Sequence, residues 1–334
     1  MARVRRVVWR KWMAGGILLV PVALGFIPGV PHPFVNMFLW WVATPPRVEV
    51  LAPIPDVERV LVIAPHPDDE LLALGGTIAR LKAEGQQVLV VFLTNGDANR
   101  AAKSLFTLNP LRRPEDFRAL GYRRQKEAAA ALRILGVPKN AVIFLGYPDQ
   151  GLASLLGKHW KRENPYTSPF TKANYPFYSN SFNSSAMYCG QDLVDDLTRI
   201  LRRFTPTVVY FPHPEDGHPD HRASVQLVLA ALLQAELDEE PELRLYVVHA
   251  PSWPAPRRLA IDQALTAPAG LSQWRWWSHE LTEDLVELKL RAIRAYSSQR
   301  VTSGRFLASF VRPNELYATY AASQLPVGVP TPGR

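Results

Sequence analysis

The sequence predicts a three-layer α/β fold on a mostly parallel sheet, and three observations carry that expectation. Short apolar runs rich in β-branched residues recur at Val60–Ala64, Gln86–Thr94, Ala141–Leu145, Thr207–Phe211 and Leu243–His249. Strands buried on both faces of a sheet read this way. Stretches with apolar residues at helical spacing separate them, at Glu70–Glu84, Tyr122–Leu135, Asp192–Phe204, Asp220–Leu237 and Leu281–Tyr296. Strand and helix alternate without an internal repeat, which calls for crossovers between parallel neighbours.

Ahead of the first strand, Arg3, Arg5, Arg6, Arg10 and Lys11 are followed by Trp12–Thr44, which holds no Asp, Glu, Lys or Arg. Met13–Val30 is long enough to span a bilayer, with Trp9, Trp12, Trp40 and Trp41 as interfacial belts. The expectation is a single-pass transmembrane helix anchored in the lipid bilayer, N-terminus cytoplasmic and folded domain extracytoplasmic. A cleaved signal peptide and an interfacial hairpin broken by Pro28, Pro31 and Pro33 are the rivals. The chain then divides into a basic start and anchor (1–44), a proline-bearing linker (45–58), one large domain (59–325) and a tail (326–334).

The formal charge of +8 owes much to the first eleven residues. No basic stripe is interleaved with aromatics, which argues against nucleic acid as a partner. A single cysteine, Cys189, excludes an intrachain disulfide framework and reads as a small buried residue.

The first strand runs into Pro65-His66-Pro67-Asp68-Asp69-Glu70 and then a helix. Ligands bind at the carboxyl ends of strands in such sheets. Adjacent carboxylates repel and raise one another's pKa unless a cation compensates. A helix N-terminus explains Asp68, Asp69 or Glu70 singly, but it does not explain His66. His66 and Asp69, three apart across a tight turn, can face one metal ion and leave Asp68 free for proton transfer.

The second strand ends in Asn95-Gly96-Asp97, and the polar stretch Ala98–Leu120 reads as a surface excursion. Gly157–Gly190 is irregular and carries Trp160, Tyr166, Phe170, Tyr175, Phe177, Tyr178 and Tyr188. These aromatics either pack the loop onto the domain or form a rim that stacks on sugars. Trp274-Arg275-Trp276-Trp277 reads as a hydrophobic edge or a membrane-facing patch.

After TVVYF comes a second dense strand tip, Pro212-His213-Pro214-Glu215-Asp216-Gly217-His218-Pro219-Asp220-His221. The two tips together offer His66, Asp69 and one or more of His213, His218 and His221. Hydrolytic zinc takes three protein ligands and leaves a position for water, whose pKa it lowers to about 7.

The motifs Ala64–Glu70 and His218-Pro219-Asp220-His221 resemble those of the PIG-L (LmbE-like) zinc-dependent deacetylases. Arg124-Gln125-Lys126-Glu127, Gly146-Tyr147-Pro148-Asp149 and Lys289–Gln299 resemble further segments of that family, in the same order. The resemblance implies a Rossmann-like fold and removal of an acetyl group from an N-acetylglucosamine-type sugar or glycoconjugate. It further implies His66, Asp69 and His221 as ligands of one zinc ion, Asp68 as general base and His218 as acid or oxyanion partner. Asp220 would orient His218, while Asp149 and Arg124 would hold the sugar or brace the site. Two positions depart from the pattern: Asp216 stands where some members have Tyr, and Tyr296 where many have His. A two-metal phosphoesterase and a non-catalytic glycan-binding protein are the competing functions. His32, His159, His249 and His279 receive no role.

Overall fold

The structure, a computed structural model, describes residues 48–50, 58–107 and 113–319. The first half of the fold comprises β1 (Val48–Val50), β2 (Arg59–Ala64), α1 (Asp69–Ala83), β3 (Gln87–Thr94), α2 (Arg100–Thr107), α3 (Pro114–Ile134) and β4 (Val142–Tyr147). Next come α4 (Leu152–Leu155), α5 (Gly190–Phe204), β5 (Val208–Pro212), α6 (Pro219–Ala235) and β6 (Glu242–Tyr246). The last elements are β7 (Trp276–Glu280), α7 (Glu283–Ala295), α8 (Ser297–Ala308) and β8 (Asn314–Thr319).

The strands form one sheet in the order β1-β7-β8-β6-β5-β2-β3-β4. β8 runs antiparallel to β6 and β7, and every other neighbouring pair is parallel. Val60 to Ala64 of β2 are each 0% exposed, as expected of a strand covered on both faces. Helix α7 packs against α1 and α3, and α5 packs against α6. The chain moves from β2 to β3 and β4 on one side, then returns to lay β5 and β6 on the other. The order therefore reverses between β2 and β5, and a crevice opens there at the strands' carboxyl ends.

Four segments differ from the sequence expectation. Helix α3 starts eight residues before Tyr122, with Pro114 in its first turn and Glu115 and Asp116 at the positive end of the dipole. Val48–Val50, expected as linker, pairs with Trp276–Ser278. Trp276 is buried within β7, so the tryptophan cluster is not a membrane-facing patch there. β8 carries Glu315 as its second residue, fully buried, where it accepts from Gly76 N, Thr77 N and Lys289 Nζ, each at 2.7 Å. A charged residue inside a strand hides the strand from a hydrophobicity reading. Here the charge is answered by a lysine and by helix amides.

The expected membrane placement is corrected. No helix among the described residues is long and apolar enough to cross a membrane. Met13–Val30, on which the anchor and the extracytoplasmic placement rested, lies outside the described residues.

Candidate active site

The turn after β2 is held open by hydrogen bonds to its backbone. Asp68 has φ 124°, a conformation that costs a non-glycine residue of order 1–3 kcal/mol. Its N–H donates to Glu70 Oε2 at 3.0 Å, and its carbonyl accepts from Leu71 N and Leu72 N at 3.1 and 2.9 Å. Glu70 is in turn fixed by Tyr296, whose hydroxyl donates to Oε1 at 2.6 Å. Arg124 of α3 reaches under the same turn. Its Nη2 donates to Pro67 O, its Nη1 to Gly96 O at 2.8 Å, and Nη2 lies 3.1 Å from Asp68 Oδ2. Gly96 has φ 62°, and a Cβ there would fall 1.8 Å from Arg124 Nη1, so only glycine leaves room for the guanidinium.

The tip of β5 brings the second set of groups to the same crevice. Asp69 Oδ2 is the meeting point, 3.2 Å from His66 Nδ1 and 3.0 Å from His221 Nε2. His221 is 0% exposed, and both of its ring nitrogens face carboxylates, Nε2 toward Asp69 and Nδ1 toward Asp216. A buried imidazole nitrogen aimed at a carboxylate that a second histidine also faces suits a cation among them. On the far side of the ring, His221 Nδ1 lies 3.3 Å from Asp216 Oδ2. His66 Nε2 likewise faces Asp149 Oδ1 at 3.3 Å and Asp220 Oδ2 at 3.2 Å. Carboxylates behind both histidines match the pattern by which such rings are oriented toward metals. His66, His218 and His221 offer ligand atoms within 4.8 Å of one another, as do Asp69, His221 and His249.

His218 caps α6. Its Nδ1 accepts from Asp220 N at 3.2 Å, so a neutral ring carries its proton on Nε2. All of these groups line or underlie a cavity of about 1530 Å³.

The electrostatics follow from burial and crowding. Burial pushes the Asp68 carboxyl up to about 7, opposed by Arg124 and reinforced by Asp69. Burial raises Glu70 to about 8 against its bonds from Tyr296 and the backbone. His218 is pushed down to about 3 by burial and by neighbouring imidazoles. Burial disfavours charge on His66, but Asp149, Asp220 and Asp69 outweigh it and hold the ring well above its usual range. Three carboxylates around one imidazole create a demand for positive charge that a divalent ion would also meet.

Over residues 61–232 the sequence matches the PIG-L family, described as GlcNAc-PI de-N-acetylase. The chain belongs to the PIG-L family. It is 26% identical over 255 residues to the diacetylchitobiose deacetylase of Thermococcus kodakarensis, covering 74% of this chain and 72% of that protein. It is 33% identical over 194 residues to the 1D-myo-inositol 2-acetamido-2-deoxy-alpha-D-glucopyranoside deacetylase of Streptomyces avermitilis, 57% of each. Among solved structures, N,N'-diacetylchitobiose deacetylase from Pyrococcus horikoshii is similar in fold, with TM-score 0.52 and 23% identity. That likeness covers 88% of this chain and 95% of the other.

The PIG-L motif residues His66, Asp68, Asp69, His218 and His221 converge, Asp149 braces the site from behind His66, and Asp220 does something other than expected. Asp220 does not reach the His218 ring with its carboxylate. It accepts from Gln150 N at 2.7 Å and Leu152 N at 3.1 Å and backs His66, because the helix start turns it toward the loop after β4. Asp149 also backs His66 and accepts from Ala98 N at 2.7 Å.

His249 and Asp216 were missed as site residues. Asp216 accepts from His218 N at 2.9 Å, Val248 N at 2.9 Å and His249 N at 3.0 Å, and so staples the tips of β5 and β6. A histidine just past a buried strand was the available signal for His249, whose ring centroid lies 4.9 Å from that of His221. His213 packs between Trp274 and Trp276, away from the cavity. In the aromatic loop Phe170, Tyr178 and Tyr188 are buried, Tyr175 is exposed, and none of its Trp, Tyr and Phe residues lines the cavity.

Proposed function

We propose that the protein is a metal-dependent hydrolase that removes the acetyl group from an N-acetylglucosamine-type sugar or glycoconjugate. The observation that carries this reading is the convergence of His66, Asp69 and His221 beside Asp68, which lines the same cavity and is held there by Arg124. The deacetylase names of the PIG-L relatives support the reaction class. When bound, a divalent ion, zinc in this reading, held by His66, Asp69 and His221 supplies Lewis acidity that acidifies water and polarises an amide carbonyl.

The chain's own residues account for the remaining steps. Asp68 takes the proton of the attacking water as its oxygen bonds to the acetamide carbon. It returns that proton to the nitrogen as the C–N bond breaks, releasing acetate and a primary amine. His218 offers Nε2–H to the carbonyl oxygen as negative charge develops, since Nδ1 is already occupied by Asp220 N. Arg124 holds Asp68 in place from below, and Asp149 and Asp220 fix the His66 ring.

The test is acetate and amine release from a panel of N-acetylglucosamine glycosides and oligomers, with and without chelator, in the wild type and in Asp68→Asn. Turnover lost to chelator, and reduced at least about 10³-fold in a variant that keeps its metal, is the expected result. A variant as active as the wild type would sink the role given to Asp68.

A further inference from the structure

Building on the deacetylase reading, we infer that the cavity mouth binds an anionic group, a phosphate or carboxylate, carried by the acetylated sugar outside its acetamide. The charged residues lining the cavity are sorted by depth. Its carboxylates, Asp68, Asp69 and Asp149, belong to the floor, where Arg124 and the histidines answer them. The mouth carries Arg100, Arg257, Arg300 and Arg305, all exposed, and no acidic residue lines the cavity beside them. None of the four makes an ion pair with a carboxylate among the described residues.

The four come from three separate segments that the fold draws to one opening. Asn99 Nδ2 donates to Gln299 Oε1 at 2.8 Å, tying the start of α2 to the start of α8, and Arg100 and Arg300 are the next residue on each. On the other side, the Arg257 guanidinium lies 5.4 Å over the Phe306 ring, and Arg305 directly precedes Phe306. Arg100 also lies 5.4 Å over a ring, that of Phe170.

Scattered surface arginines are usually a solvated face. Here two of the four rest on aromatic rings, which limits the side-chain entropy lost on binding. Four cations lining one opening with no acidic residue beside them leave its field positive, which favours entry of an anion. The planar fork of arginine matches the paired oxygens of phosphate and carboxylate.

The full-length, metal-loaded protein would be assayed on methyl N-acetylglucosaminide, N-acetylglucosamine 1-phosphate and N-acetylmuramic acid, at low and high salt. The same assays would be run on the double variants Arg100→Gln/Arg300→Gln and Arg257→Gln/Arg305→Gln. The expected result is a kcat/KM at least about tenfold higher for an anionic sugar than for the neutral one, carried by KM and weakened by salt. At least one double variant should erase that ratio, and comparison of the phosphate and carboxylate arms identifies the preferred anion. Equal kcat/KM for neutral and anionic sugars, or a preference that both variants keep, overturns the inference. Calorimetric titration with glucosamine 1-phosphate and glucosamine separates this outcome from failure of the deacetylase reading. If no sugar is turned over but the wild type alone prefers the phosphorylated amine, the anion site stands and the deacetylase reading falls. No preference in the titration, together with no faster turnover of either anionic sugar, overturns the anion site.

Discussion

Asp216 Oδ2 stands 3.3 Å behind His221 Nδ1, with both side chains 0% exposed. A carboxylate in this place fixes the ring's tautomer and strengthens its other nitrogen as a ligand. Asp216→Asn should therefore weaken metal retention about 10- to 100-fold, read by competition with a chromogenic chelator. Thermal stability should fall as well, because the Asp216 carboxylate accepts three backbone N–H groups that an amide satisfies less well. Metal affinity equal to the wild type would show that Asp216 acts only on the backbone.

Gly96→Ala should displace Arg124. The added Cβ meets the guanidinium at 1.8 Å, and φ 62° is strained for alanine. A loss of about 1–3 kcal/mol in denaturant unfolding is expected, together with reduced turnover, since Arg124 pairs with Asp68. Unchanged unfolding and turnover would mean that the turn accommodates a side chain.

Tyr296→Phe removes the hydroxyl that donates to Glu70 at 2.6 Å. Glu70 also receives the Asp68 N–H, so the strained turn loses part of its support. The expected signature is a fall of about tenfold in kcat, with metal content and KM kept. A change in KM alone would assign Tyr296 to substrate contact instead.

His213 gives a pH prediction that does not involve the cavity. Burial pushes its imidazole down to about 4 from the ordinary 6.5, with Asp216 opposing. Below 6.5 the unfolded chain binds a proton that the folded one refuses, so stability contributed here is full above that pH and is lost as pH falls toward 4. The loss amounts to about 3 kcal/mol at most. His213→Asn, which keeps an acceptor for Glu215 N, should flatten the difference in unfolding free energy between neutral and mildly acid solution. Equal slopes for variant and wild type would refute the assignment.

Strands with uncharged runs were legible because burial on both faces leaves no other composition open. The strand tips were legible because His66, Asp68, Asp69, His218 and His221 crowd where the chain must turn. Elements that satisfy charge through distant partners were not. Glu315 makes β8 look polar until Lys289, 26 residues away in the chain, is seen to neutralise it. The direction in which Asp220 and Asp149 point was also hidden. It depends on the loop after β4 meeting the start of α6, which no local spacing encodes.

The floor of the cavity and its rim have separate origins in the chain. The residues assigned to chemistry, from His66 to His221, lie inside the family-matched stretch 61–232, whereas Arg257, Arg300 and Arg305 lie beyond it. Mutations in the later segment can therefore retune which molecule is accepted while the hydrolytic apparatus is inherited intact. Two relatives with the same catalytic residues need share no substrate, and swapping the rim stretches that carry Arg257, Arg300 and Arg305, with Tyr296 and its bond to Glu70 kept, should transfer preference without transferring chemistry.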